Sequence, residues 1–214
     1  MNLGLRFLAT QLISRLSLVF FFSILSGSIL SSCVTGPFAS FESARTVGQG
    51  KDEIMMGDGT PGYVFKWTHG INNEFDLGLQ LEQLSVGARA KYMFIGPSSK
   101  ISMAAAVGVG ASGYGSHEYV DFLVSRRLES FEPYLTLRMT HVNVDQLQFR
   151  DENNKTVIAR IDRAQFNYGQ AFLGSRYWIN SNWSLAAEVS HIVGLGAVHL
   201  EDTWLGSAAF GYRF

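Results

Sequence analysis

The residue types that could catalyse a reaction or bind a metal are scattered along this chain. Its five histidines lie at no metal-ligand spacing from one another: His69, His117, His141, His191 and His199. Cys33 is the only cysteine, so a zinc site built from cysteines and histidines is not predicted. The acidic stretch DENN at 151–154 could bind calcium weakly, but its composition is typical of a solvated loop. The sequence therefore predicts neither a metal nor a cofactor.

Ser190 and His191 are the one pair that invites comparison with a hydrolase. Small barrels that resemble the outer-membrane lipid A deacylases carry a histidine, then a serine two residues later, on one outward face. Here the two residues are adjacent, so on a strand they point to opposite faces, and position 193 is Val. A nucleophile and its base must share a proton. The sequence therefore predicts no enzyme, with an outer-membrane lipid hydrolase as a remote alternative.

The amino-terminal residues 1–32 have the pattern of an export signal. Arg6 and Arg15 precede the apolar run LSLVFFFSIL and a stretch of small residues. The sequence Leu-Ser-Ser-Cys at 30–33 resembles the lipobox of bacterial lipoproteins. That resemblance implies cleavage before Cys33 and acylation of its thiol. Position 34 is Val rather than Asp, which by the same resemblance implies sorting to the outer membrane by the lipoprotein-sorting machinery.

Residues 33–50 lack sustained alternation and contain Pro37 and three glycines. We interpret them as a lipidated tether, or a partial plug, that joins the lipid to the first strand. The predicted organisation is a removed signal peptide at 1–32, the tether at 33–50 and a β-barrel at 51–214. With one cysteine, no internal disulfide can form.

From residue 51 onward, apolar and polar residues alternate with the period of a β-strand, and no helical period is evident. The clearest case sets Phe75, Leu77, Leu79 and Leu81 against polar neighbours. Ten candidate strands follow from the pattern: 51–57, 63–69, 75–82, 85–94, 101–111, 118–126, 134–143, 164–178, 183–191 and 203–214. The first and eighth are irregular, so eight to twelve strands remain compatible with the sequence.

The last strand ends in alternating aromatic residues, Phe210, Tyr212 and Phe214. It resembles the closing strand of bacterial outer-membrane β-barrels, whose final aromatics are read by the barrel-assembly machinery. The resemblance implies an all-β, antiparallel, up-and-down transmembrane barrel in which the last strand pairs with the first.

The connections between these strands alternate in length. Those at 70–73, 96–100, 127–132 and 179–182 are short, whereas the others include 112–116, 193–202 and the long charged stretch 145–163. The turn at 82–85 belongs to the second set but is short, which is an exception to the pattern. Short periplasmic turns and longer extracellular loops are typical of outer-membrane barrels. The pattern predicts both barrel ends in the periplasm and a surface ligand that binds through loop 145–163.

Charged residues on the strands share the face opposite to the apolar residues. A one-residue slip of the fourth strand would expose Arg89 and Lys91 to lipid, at about 2–4 kcal/mol each near the midplane. We therefore expect an inward ion-pair network that fills the lumen: Lys66, Asp76, Glu82, Arg89, Lys91, Asp121, Arg138 and Glu188.

The formal net charge of −1 does not suggest nucleic acid as a partner. The sequence favours a non-enzymatic outer-membrane β-barrel lipoprotein with an envelope structural or interaction role, or minor passage of small solutes. Its lipid-facing surface would make outer-membrane lipid a partner. The alternative is a soluble, lipid-tethered periplasmic barrel that binds an apolar ligand, with Phe75, Leu77, Leu79 and Leu81 pointing inward.

Overall fold

The computed structural model describes residues 36–60, 62–83, 85–96, 98–112, 115–145, 147–150, 157–195 and 203–214. These residues form twelve strands: β1 (Asp52–Gly59), β2 (Val64–Gly70), β3 (Phe75–Glu82), β4 (Ser85–Ile95), β5 (Ser102–Ser112), β6 (Gly115–Ser125), β7 (Phe131–Val144), β8 (Leu147–Arg150), β9 (Val157–Ile161), β10 (Ala164–Trp178), β11 (Trp183–Leu195) and β12 (Thr203–Arg213). Within this described part, no helix has the length and apolar character needed to cross a membrane.

Ten of the strands close into one antiparallel barrel, in which sequence neighbours pair throughout and β12 returns to β1. The seam pairs Met56 with Phe210 and Ile54 with Tyr212. β7 pairs directly with β10, while β8 and β9 form a separate two-stranded hairpin between them. The prediction of a ten-stranded up-and-down barrel, closed by its last strand, is confirmed.

Most strand boundaries agree with the sequence pattern, and two connections differ. The loop expected at 112–116 is wrong, because β5 ends at Ser112 and β6 begins at Gly115. Glycine is needed at position 115, where β6 begins, since its φ is 155° and a Cβ there would overlap the Asn143 carbonyl. The stretch 145–163, expected as a loop, contains the β8–β9 hairpin.

The two faces of the wall differ in polarity as the alternation predicted. On β3, Leu79 is 50% exposed on the outside, whereas its neighbour Gln80 is buried inside. On β4, Val86 and Tyr92 are exposed, whereas Arg89 is buried. The strands thus adopt the register that places the charged residues inside. Successive side chains of a strand point to opposite faces, so a slip of one residue would have placed these charges outside.

The lumen also contains part of the chain that precedes the barrel. Residues 36–47, here called the luminal segment, are mostly buried and run inside the wall. Phe41 of this segment packs with Met55, Val64, Ala186 and Ala209, which belong to the four strands around the seam. The described part of the stretch interpreted as a tether or partial plug therefore lies inside the lumen.

The two ends of the barrel are distinguished by their connections. The short-turn end carries 71–74, 96–101, 126–130 and 179–182, and it is also where the chain enters β1 and leaves β12. The loop end carries the two longest connections, 145–163 with its hairpin and 196–202, together with the short connections 60–63, 83–84 and 113–114.

A thiol crosslink tests the closure. In a Cys33→Ser background, Asp58→Cys and Ala208→Cys are placed directly opposite one another across the seam, at a Cβ separation of about 4.5–5.5 Å. A short bis-maleimide should join them and speed migration on a denaturing gel. Asp58→Cys with Ser207→Cys is the control, because Ser207 lies on the other face. Equal crosslinking of both pairs would contradict this register.

Candidate functional site in the barrel lumen

The backbone amides of the luminal segment bind two carboxylates of the wall. Glu82 accepts hydrogen bonds from the amides of Phe38 and Ala39 at 2.8 and 3.1 Å. Glu188 accepts from the next two amides, those of Ser40 and Phe41, at 2.7 and 2.8 Å. Each carboxylate thus accepts hydrogen bonds with both of its oxygens from two consecutive backbone amides. Because the acceptor is charged, these hydrogen bonds are stronger than those between neutral groups.

Cationic side chains of the wall bind the carbonyl groups of the same segment. Lys66 Nζ donates to the Ser40 carbonyl at 2.6 Å, and Arg176 donates to the Phe41 carbonyl at 2.9 Å. Lys91 Nζ donates to the Arg45 carbonyl at 2.7 Å. Because an unpaired buried peptide group is costly, these side chains supply the partners that a neighbouring strand would otherwise provide.

Phe41 has a backbone conformation that these contacts hold in place. Its φ of 46° lies in the left-handed region, which a bulky residue rarely occupies. Its amide is bound by Glu188, its carbonyl by Arg176, and its side chain is buried. Such a conformation costs on the order of 1–3 kcal/mol and persists where the surroundings over-determine it.

Glu42 is the fully buried charged residue of the luminal segment. Its carboxylate lies 3.0 Å from Lys66 Nζ and 3.9 Å from Lys91 Nζ, and it also forms an ion pair with Arg89. All four side chains are almost fully buried. A buried charge must be paired, so Glu42 balances cations that the wall itself only partly neutralises.

The wall contains further ion pairs of its own. Arg138 binds both oxygens of Asp121, at 2.7 and 2.8 Å, and its guanidinium lies 4.2 Å from the ring centre of Tyr119. Lys91 also pairs with Asp76 at 3.1 Å. These contacts tie β4 to β3 and β7 to β6 on the inside of the wall.

A second group of charges lies toward the short-turn end. Glu53 of β1 accepts from Arg176 at 2.9 Å and from Arg213 at 2.8 Å. Arg213 lies 4.4 Å from the ring centre of Trp178, whose indole donates to Glu132 at 3.3 Å. Since Arg213 belongs to β12, this group joins the seam strands from the inside.

All eight residues expected in the luminal network are buried in the structure. Four more charged groups, Glu42, Glu53, Glu132 and Arg176, join them and were not identified from the sequence. Glu53 and Arg176 lie on the strands with the least regular alternation, where the inward face was hard to assign. Glu42 lies outside any strand, so no periodic signal marked it.

The aromatic residues at the carboxyl-terminus lie on the outside of the wall. Phe210 and Tyr212 pack against Trp183, with ring centres 4.7 and 4.2 Å apart, and Tyr212 stacks on Phe214 at 5.8 Å. They form an exposed aromatic cluster near the short-turn end. Their recognition by assembly machinery stays a prediction, and Cys33 lies outside the described residues.

No catalytic constellation forms around the residues first considered. Ser190 is buried in the lumen, whereas His191 lies outside and stacks on Trp204 at 4.5 Å. The wall separates them, so they cannot exchange a proton directly. Among the residues that the structure describes, no group of three His, Cys, Asp or Glu side chains could hold a metal ion. The DENN stretch at 151–154 lies outside those residues.

A cavity of about 530 Å³ opens at the short-turn end beside residues 43–48 of the chain. Arg45, Arg127, Glu132, Trp178 and Arg213 contribute to its lining. It marks where the luminal segment leaves part of the barrel mouth unfilled. Farther in, the lumen holds the ion pairs and the segment described above.

No protein-family model matches this chain, and no curated protein matches it. Several solved barrel structures are similar to it. The N-terminal β-barrel domain of Pseudomonas aeruginosa OprF is 14% identical, with a TM-score of 0.40, over 78% of this chain and 99% of that one. The KdgM porin is 11% identical, with a TM-score of 0.39, over 77% and 99%.

The attachment invasion locus protein Ail of Yersinia pestis is 14% identical, with a TM-score of 0.32, over 78% of this chain and 99% of that one. Similarities at these identities and TM-scores assign no function. The barrel is established by the strand pairing of this chain itself.

Removing the charge of Glu42 tests the luminal network. Glu42→Gln keeps the shape of the side chain but leaves buried cations without their partner, which costs about 3–5 kcal/mol. Urea unfolding followed by tryptophan fluorescence should show this loss. Glu74→Gln, in an exposed turn, is the matched control and should stay within about 0.5 kcal/mol. Equal stability of the two variants would contradict a structural role for Glu42.

Proposed function

We propose that this chain is a non-enzymatic outer-membrane β-barrel lipoprotein whose lumen is closed by its own amino-terminal segment. Its role would be to support or display structure at the cell envelope rather than to conduct solutes. The observation that carries the proposal is the pairing of an apolar outer wall with a charged lumen that the luminal segment occupies.

The outer wall supports a location in lipid. Among the described residues, large apolar side chains are exposed on every barrel strand except β2, including Met56, Leu79, Val107, Met139 and Leu173. Soluble monomers rarely expose continuous apolar surface beyond a few hundred Å². A hydrocarbon environment removes that cost, and the closed barrel leaves no unpaired strand edge to meet it.

The alternative of a soluble barrel around an apolar ligand is not supported. It required Phe75, Leu77, Leu79 and Leu81 to point inward, but Phe75 is half-buried and the three leucines are exposed on the outside. The positions between them, which do face the lumen, include Gln80 and Glu82. In the described part of the chain, the interior is charged and already binds peptide groups, which is unlike the mostly apolar lining of a pocket for such a ligand.

The plugged lumen also argues against free passage of solutes. The luminal segment makes hydrogen bonds to inward side chains on β2, β3, β4, β6, β7, β10 and β11. Displacing it would expose several buried charges at once. The barrel would therefore act as a closed scaffold, with the hairpin of β8 and β9 offering an interaction surface at the loop end.

Acylation of Cys33 completes the proposal. The lipobox at 30–33 supports it, because Cys33 follows the apolar core of the export signal at the expected distance. Two or more acyl chains anchor a protein stably, since each buried CH₂ contributes about 0.8 kcal/mol. The luminal segment would then join the acylated residue to the barrel.

An arginine on the outer wall tests the membrane location. Leu79→Arg should reduce the free energy of unfolding of the protein in phospholipid vesicles by about 2–4 kcal/mol, because the charge would enter the hydrocarbon. Ile71→Arg, in the turn at the short-turn end, is the control, at about 0–1 kcal/mol. Urea titration in vesicles measures both. A Leu79→Arg protein that is monomeric without detergent would contradict the proposal.

Conductance in planar bilayers tests the closed lumen. The full chain should insert without opening channels, whereas deletion of residues 36–47 should produce channels because the lumen loses its occupant. Heat-modifiable migration on a gel shows that each protein has folded. Channels of equal conductance in both proteins would instead favour a porin.

A further inference from the structure

The direction in which the luminal segment runs along the barrel axis can be determined from its contacts with inward side chains of β3. β3 runs from the short-turn end to the loop end. Near its start, Asp76 accepts a hydrogen bond from the Val47 amide at 3.3 Å. At its last residue, Glu82 accepts from the Phe38 amide at 2.8 Å. Lower residue numbers of the segment therefore lie closer to the loop end.

β10 runs the opposite way and gives the same order. Near its end, at the short-turn side, Arg176 binds the Phe41 carbonyl at 2.9 Å. Nearer its start, Tyr168 contacts the segment at Gly36, where a Cβ would overlap the Tyr168 hydroxyl. The segment thus advances toward the loop end from residue 41 to residue 36.

Contacts of the luminal segment with β7 show the same direction. Thr136 donates to the Glu42 carbonyl at 3.4 Å, whereas Arg138, farther toward the loop end, donates to the Pro37 carbonyl at 3.0 Å. At the other extreme, the amide of Gly50 binds the Gly70 carbonyl beside the short turn 71–74. The chain therefore passes along most of the lumen between Gly50 and Gly36.

The reach of the chain limits where Cys33 can lie. Tyr168, beside Gly36, is four residues from the loop-end start of β10 and ten from its other end. With a rise of about 3.4 Å per residue and a tilt of about 40°, these are roughly 10 and 26 Å along the barrel axis. Three extended residues span at most about 11 Å. Cys33 can reach the loop-end rim but not the short-turn end.

We infer that the mature chain is threaded through its own barrel, so that the residues before Gly36 leave the lumen at the loop end. The inference rests on the proposed function for two points, the acylation of Cys33 and the extracellular position of the long loops. Given those, the modified amino-terminus lies at the outer surface of the cell rather than in the periplasm.

Threading determines which leaflet holds the anchor. An acylated Cys33 at the loop-end rim can insert its acyl chains only into the external leaflet, because the periplasmic leaflet is beyond its reach. The barrel must also close around the segment, since a lipidated end could not be drawn through a finished lumen lined with paired charges. The anchor and the hairpin of β8 and β9 would share one surface.

Thiol labelling of intact cells tests this topology. Val34→Cys places a free thiol next to the acylated residue, Asn154→Cys places one in the 151–156 connection of the hairpin, and Ser98→Cys places one in a short turn. A maleimide attached to a polyethylene glycol too large for porins labels only surface thiols. Labelled palmitate, incorporated by each variant and lost in Cys33→Ser, shows that the anchor is present.

We expect intact cells to label Val34→Cys and Asn154→Cys to similar extents and Ser98→Cys only after permeabilisation. If Asn154→Cys is labelled while Val34→Cys needs permeabilisation, the threading inference fails and the proposed function stands. If Ser98→Cys is labelled and Asn154→Cys is not, the orientation within the proposed function fails, together with surface display of the amino-terminus.

An epitope inserted after Val34 covers the case in which the single thiol is shielded at the rim. Antibody binding to intact cells supports threading, and binding only after permeabilisation overturns it. Heat-modifiable migration of the tagged protein, compared with that of the unaltered chain, shows that the barrel has formed around or beside the longer segment.

Discussion

Buried charge in a narrow lumen is the constraint on which the rest of this structure depends. The inward face of the wall holds carboxylates, ammonium groups and guanidinium groups that lie out of contact with bulk water. Each must find a partner, because the cost of an unpaired buried charge reaches several kcal/mol. Some of these charged groups pair with one another within the wall, as Arg138 does with Asp121. Many of the others bind the backbone or Glu42 of the luminal segment.

The segment is suited to this task because its backbone offers donors and acceptors in alternation. Glu82 and Glu188 take its amides, while Lys66 and Arg176 take its carbonyls. Glu42 adds the one side-chain charge at the point where Lys66, Arg89 and Lys91 converge. The lumen thereby recognises a peptide backbone through ionic side chains, so the plug and the wall are mutually dependent parts of one structure.

The seam connects this interior to the closure of the barrel. β1 follows the luminal segment directly, and Glu53 on β1 binds Arg213 on β12 and Arg176 on β10. Phe41 packs against Met55 and Ala209 from the two seam strands. The same residues of β1 and β12 therefore contact the luminal segment and hold the seam together. These contacts stabilise β1, which pairs with β12 from Glu53 to Gly59 although its sequence alternates irregularly.

Much of the architecture could be predicted from the sequence. Period-2 alternation is a local property of each strand, so it specified the strands and the face of Arg89 and Lys91. The closing role of the last strand was predicted from its resemblance to the closing strands of outer-membrane barrels. The alternation located all eight predicted luminal charges on the inside of the wall. It missed the hairpin of β8 and β9 and the early start of β6, which depend on contacts between strands.

Residues 36–47 show what only the tertiary structure decided. Their sequence has no period, because their hydrogen-bond partners are side chains on seven different strands rather than a neighbouring strand. Neither the occupancy of the lumen, the partners of Glu42, nor the direction of the segment follows from local pattern. These features arise only when the wall closes and brings distant charges around one stretch of backbone, because pairing a buried charge is a non-local requirement.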